Sequence, residues 1–260
     1  MALNDFEIGE FEYDGDKRPV YRKGDGPGVV IMHEVPGITP QVADFARHVA
    51  DAGFTAVMPH LFGVPDKPIS NGYVVQGIAR ACISREFHVL SKHESSPITD
   101  WLRALCRQVH AECGGPGVGA IGMCLTGNFA LSLMVDESVM APVLIQPSLP
   151  FGITAAHRAA VHVSDEDLKV VKQRSSSGCP VLGMKFTADP MCPAERFETL
   201  RRELGDGFEG IEIDSAKGNA AGIPSSAHSV VTTDLVDEEG HPTRQALDRV
   251  LEFLGEQLRS

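Results

Sequence analysis

No stretch of the chain reaches the ~18 to 20 consecutive apolar residues needed to cross a bilayer. Its first ten residues, MALNDFEIGE, lack the basic start and apolar run of a secretory signal. A cytoplasmic protein with no membrane partner is predicted. Cysteine is sparse: Cys82, Cys106, Cys113, Cys124, Cys179 and Cys192 are the six, and no two form a Cys-x-x-Cys pair. A disulfide scaffold, a zinc knuckle and a redox pair are therefore not indicated. The ten histidines make no His-x-x-x-His or His-Glu-x-x-His pattern, so neither a metal nor an organic cofactor is expected. Basic residues are in deficit, 23 against 35 acidic, for a formal charge of −12. The acidic residues are scattered, which argues against a nucleic-acid or anionic-membrane partner. That charge would also oppose an anionic substrate unless a local arginine received it. Low-complexity tracts are absent as well. With 43% hydrophobic and 22% charged residues over 260 positions, one folded domain spanning 1–260 is predicted.

What is there is an alternation of strand and helix patterns. Residues 5 to 22 alternate apolar and polar around Asp14-Gly15-Asp16, the pattern of a β-hairpin. Continuously apolar strands follow from Gly28 to Met32, Phe54 to Met58, Val118 to Met123, Pro142 to Ile145, Pro180 to Phe186 and Gly210 to Ile213. Helices are predicted from Pro40 to about Ala52, from Ser96-Pro97 to about Cys113, from Leu125 to Met134, from Ala194 to Leu204 and from Pro242 to Leu258. The expectation is an α/β protein with a doubly wound, mostly parallel sheet, helices on both faces and an N-terminal hairpin. Residues 62 to 94 and 149 to 179 break the alternation, and the second carries the acidic patch Asp165-Glu166-Asp167. Such loops usually line the site in this architecture, and 149 to 179 could cover it.

The most informative segment runs from Val118 to Gly127, an apolar strand entering a glycine-flanked turn at Gly122-Met123-Cys124-Leu125-Thr126-Gly127. That is the setting of a nucleophile elbow, with cysteine where serine usually stands. A tight strand-to-helix turn lifts its side chain to the carboxyl end of the sheet, above a helix N-terminus that favours a thiolate. A buried, inert cysteine in a packed turn is the competing reading. A thiol nucleophile needs a base, and the base needs an orienting carboxylate, in the chain order nucleophile, acid, histidine. Asp189 follows its strand by three residues, with Asp214 as competitor. His228 lies in a loop before the last helix, with His241 the weaker alternative. Glu34, in His33-Glu34-Val35-Pro36-Gly37, ends the first parallel strand at the same sheet edge. The backbone N–H groups of Val35 and Leu125 stand where this fold places an oxyanion hole.

With these residues in place, the sequence resembles the dienelactone hydrolase (carboxymethylenebutenolidase) family of the α/β-hydrolase fold. The resemblance is carried by His33-Glu34, Gly53-Phe54, Pro59-His60-Leu61-Phe62, the Gly-x-Cys-Leu elbow, and the Asp189 and His228 segments. It implies a thiol hydrolase of small cyclic enol-lactones or esters, carboxylated ones included. In it Cys124 attacks, His228 serves as acid and base, Asp189 orients it and Glu34 helps take the thiol proton. It also implies an arginine for the substrate carboxylate, here Arg85. Two departures stand out: Thr126 occupies a position that is usually glycine, and Ser229-Val230 follow the histidine where Gly or Phe is usual. A non-catalytic or thiol-redox-sensing binding protein on the same fold is the alternative.

Overall fold

The computed structural model describes residues 3–70, 72–77, 97–161 and 163–259. Its centre is an eight-stranded sheet. The strands are β1 (Glu7–Tyr13), β2 (Asp16–Lys23), β3 (Gly28–Met32), β4 (Thr55–Pro59), β5 (Val118–Met123), β6 (Val139–Ile145), β7 (Val181–Phe186) and β8 (Phe208–Ile213). Their spatial order is β1-β2-β4-β3-β5-β6-β7-β8. The hairpin β1–β2 is antiparallel and so is its junction with β4, while every pairing from β4 to β8 is parallel. The hairpin closes between Tyr13 and Asp16 because Asp14 (φ +50°) and Gly15 (φ +78°) both take the left-handed conformation that a two-residue turn requires.

The parallel strands read as unbroken apolar runs because both faces are covered. On β3, Val29 and Ile31 join one core layer with helices α1 (Pro40–Asp51) and α7 (Pro242–Leu258). Val30 and Met32 join the other, with α2 (Pro97–Cys113), α3 (Phe129–Leu133) and α6 (Ala194–Leu204). Each such fully buried side chain contributes about 1.5–3 kcal/mol. Helix α1 begins where Thr39 Oγ1 accepts the Val42 N–H at 3.3 Å with Pro40 in its first turn. It ends before Gly53, at φ +83°.

Two expectations are corrected. The segment from Leu125 to Met134 is not one helix: a 3-10 turn, Cys124–Thr126, gives way at Gly127-Asn128 to the five-residue α3. The cause is steric and polar, since Pro147 packs onto the backbone at Gly127 and the Thr126 hydroxyl is turned toward β3. The 149–179 stretch is not an irregular loop, for it contains α4 (Ala155–Ala159) and α5 (Asp165–Ser176). Ser164 Oγ caps α5 by accepting the Asp167 N–H at 3.0 Å, which puts the acidic patch in the first turn, where the helix dipole favours it. Only Val171 and Ser175 of α5 are buried, so it shows little apolar periodicity. Residues 72–77 are helical, and the remainder of the 62–94 stretch from 78 onward lies outside the described residues. No helix among the described residues is long and apolar enough to span a membrane.

Candidate active site

The carboxyl ends of β3, β5, β6 and β7 point to one edge of the sheet, the usual place for a site in a parallel α/β fold. There β5 passes into the turn that carries Cys124. This residue has φ +54°, a left-handed conformation that costs a non-glycine residue about 1–3 kcal/mol and marks a side chain held for a purpose. Two close backbone approaches permit the turn. A methyl group at Gly122 would overlap the Thr126 carbonyl, and one at Gly127 would stand 2.5 Å from Pro147 Cα.

Thr126, the departure noted at the elbow, is fully buried. Its hydroxyl accepts the Met123 N–H at 3.0 Å and reaches the Met32 carbonyl at 2.8 Å. Its bulk is thus used to fasten the elbow to β3. From the other side, the Cys124 carbonyl accepts the Ser148 N–H at 2.9 Å.

Asp189 and His228 meet as the chain order suggested. Asp189 Oδ2 lies 2.7 Å from His228 Nδ1, with the carboxylate side chain 1% exposed and the imidazole 20%. Asp189 Oδ1 accepts the Met191 N–H at 2.9 Å, which fixes the carboxylate plane. The His228 loop is itself held by Asp234, whose Oδ2 accepts the N–H groups of His228 and Ser229, both at 2.8 Å. Nδ1 is engaged with the carboxylate, and Nε2 is buried with no hydrogen-bond partner among the described residues. Cys124 is near enough to influence the ring. Burial works to lower the His228 pKa, but the neighbouring Cys124 and the hydrogen bond to Asp189 outweigh it and hold the imidazole well above its usual 6.5.

Glu34 is 3% exposed at the same edge. Its Oε2 accepts from Ser229 Oγ at 2.8 Å and from Gln146 Nε2 at 3.2 Å, and its Oε1 from the Thr232 hydroxyl. Burial pushes this carboxyl up, opposed by the Thr232 hydrogen bond, the charge of His228 and the Ser229 hydrogen bond. The unusual Ser229 is therefore the residue that ties the histidine loop to the end of β3. His33 beside it is neutral: burial pushes it down to about 3, Nε2 accepts the Leu61 N–H at 3.1 Å, and Nδ1 donates to the Glu34 carbonyl at 3.1 Å.

Val35 and Leu125 share a small buried cluster with Cys124. Asp214, the competing acid, accepts the Ala216 N–H in a turn, and His241 caps α7 through Thr243 N–H. Arg85 lies outside the described residues. Sequence reasoning passed over Gln146, Thr232 and Asp234. Of these, only Gln146 carried a signal, a polar residue directly after the apolar run of β6. Among the described residues no group of three or more His, Cys, Asp or Glu side chains is arranged to hold a metal ion.

A doubly wound sheet with a cysteine in a strained turn after β5, and an acid and a histidine delivered by later loops, has the architecture of the α/β-hydrolase fold. The profile of the dienelactone hydrolase family matches residues 18–258. The chain belongs to that family. A Saccharomyces cerevisiae protein provisionally named a carboxymethylenebutenolidase is 23% identical over 188 residues, 72% of this chain and 66% of its own length. A solved dienelactone hydrolase from Anabaena variabilis superposes with a TM-score of 0.58 at 15% identity, covering 98% of each chain. A dienelactone hydrolase-like promiscuous phosphotriesterase from metagenomic libraries gives 0.62 at 16% identity, over 97% of this chain and 98% of that one. These two likenesses are of fold.

Proposed function

We propose that the protein cleaves a small carboxylic ester or lactone by covalent catalysis, with Cys124 as nucleophile. The Asp189–His228 contact of 2.7 Å, at the sheet edge where Cys124 stands in its strained turn, carries this reading. The thiol proton passes to His228 Nε2 and the sulfur attacks the carbonyl carbon. The oxyanion is received by the N–H groups of Val35 and Leu125. Collapse expels the alcohol, which takes the proton from His228, and leaves a thioester. Water then gives a proton to His228 and its oxygen to the acyl carbon. Cys124 leaves and is reprotonated. The family resemblance gives Glu34 a share in accepting the first proton. Its hydrogen bonds to Ser229 and Thr232 give it the further duty of holding the His228 loop in place.

Hydrolysis of a small activated aryl ester and of a dienelactone by wild type and Cys124→Ala tests the proposal. Activity is expected in the wild type and a fall of at least about 10³-fold in the variant, in the range found when a nucleophile is removed. Equal rates in both proteins, or none in either, would sink it. Three other cysteines do not confuse the result. Burial holds the thiols of Cys106 and Cys179 above their usual range and pushes Cys192 up to about 12, so they stay protonated near neutrality.

A further inference from the structure

Accepting that hydrolytic reading, we infer that the site takes an uncharged, apolar acyl group, not a carboxylated one, and that its seat is built in advance by the loops after β6 and β7. Around the buried Val35, Cys124 and Leu125 pack five half-buried side chains, Phe62, Val74, Leu149, Phe151 and Met191. They come from four separate stretches of chain: the end of β4, the 72–77 helical turn, and the loops after β6 and β7. Nothing but the sheet edge brings them together. In the thioester the acyl chain extends from the carbon held between Cys124 and the two oxyanion donors, so these side chains are its immediate neighbours.

The wall is fixed before substrate arrives. Arg196 on α6 is fully buried. Its Nε donates to the Ala160 carbonyl at 2.8 Å, Nη1 to Pro147 at 2.6 Å, and Nη2 to Pro150 at 2.6 Å and His157 at 3.0 Å. Asn128 Nδ2 donates to the Leu149 carbonyl, and Ser148 N–H to that of Cys124. The segment bearing Leu149 and Phe151 is thus pinned at both ends, and Met191 is pinned through Asp189. The same contacts remove Arg196 as a receptor for a substrate anion, since its donors all face carbonyls. Arg158, nearby in α4, is paired with Glu195 at 2.8 Å. A carboxylate among these five apolar side chains would lose hydration that they cannot replace, under a net charge of −12 that already repels it.

The test compares kcat/KM for p-nitrophenyl acetate, butanoate and hexanoate with that for the mono-p-nitrophenyl esters of succinic and glutaric acids. An apolar seat predicts a gain of about fourfold per methylene, the equivalent of ~0.8 kcal/mol, and at least a tenfold deficit for each carboxylated ester against the neutral ester of matching length. Phe151→Ala and Met191→Ala are expected to shrink the hexanoate-to-acetate ratio. Met191→Lys is expected to narrow the deficit of the carboxylated esters. Equal or faster turnover of the carboxylated esters, or a flat response to chain length, overturns the inference while leaving the hydrolase reading intact. Should no ester be cleaved, the hydrolase reading fails and the seat is read separately. Cys124 alkylation by N-hexyl iodoacetamide is compared with alkylation by iodoacetate, each rate divided by that for glutathione. A tenfold preference for the hexyl reagent supports the seat, and no preference overturns it.

Discussion

Asp189 faces His228 from inside the protein, with its side chain 1% exposed, so the charge it presents to the ring is poorly screened. The raised pKa of His228 has a definite sign in its consequences. Protonated imidazole is favoured in the folded state, so its contribution to stability is complete below the ordinary value of 6.5 and disappears as pH rises through the raised one. Asp189→Asn removes a raising influence. The His228 pKa, followed by NMR of the ring carbons, is expected to fall in that variant and in Cys124→Ala, and the alkaline limb of kcat/KM in Asp189→Asn should move to lower pH. An unchanged His228 titration in both variants would contradict the geometry. At Thr126 the expected effect is on stability. Thr126→Val keeps the shape but strands the Met123 N–H and the Met32 carbonyl that its hydroxyl serves. A loss of about 1–3 kcal/mol is expected in urea titration, and a neutral outcome would mean that the elbow is not fastened to β3 in this way.

At the scale of elements, Arg196 ties α6 to the loop after β6 and to α4 by four carbonyl contacts. Replacing it with methionine should cost at least about 3 kcal/mol, because several buried acceptors lose their donor together. Arg196→Lys should recover only part of this, since one ammonium cannot span the same fork. Thermal melts of the three proteins read the difference, and a wild-type melt for Arg196→Met would refute the role. This contact also illustrates what a sequence withholds. The strands were legible because parallel strands covered on both faces leave unbroken apolar runs, as from Val29 to Met32. Cys124, Asp189 and His228 were legible because the elbow has a steric signature and the others follow it in a fixed order. Arg196 reads as one more charged residue on an ordinary amphipathic helix. Its partners are backbone carbonyls, which carry no side-chain identity to recognise. Helix α5 was missed for a related reason: with only Val171 and Ser175 buried, it lacks the apolar stripe by which helices are found. The break after Thr126 depends on Pro147, which is distant in sequence.

For the molecule as a whole, the excess of negative charge is not concentrated by unpaired clusters alone. Arg249, for example, meets Glu209, Glu252 and Glu256 on one surface. The net −12 still sets a long-range field that salt screens within about 8–10 Å at 0.1–0.15 M. Turnover of a monoanionic ester should therefore rise between 0.01 and 0.5 M NaCl, while that of a neutral ester of equal length stays nearly constant. Identical salt profiles for the two would mean that the field does not reach the site.

The order of strands has a consequence for how the molecule comes into being. From β5 onward through β6, β7 and β8, each new strand is laid beside the last one made, so this half of the sheet can grow at its edge as the chain leaves the ribosome. Glu34 breaks that progression. It waits through 195 and 198 residues of synthesis for Ser229 and Thr232. The nascent chain thus carries Glu34 and Cys124 well before His228, and the contacts that tie the end of β3 to the histidine loop are among the last that the chain can close.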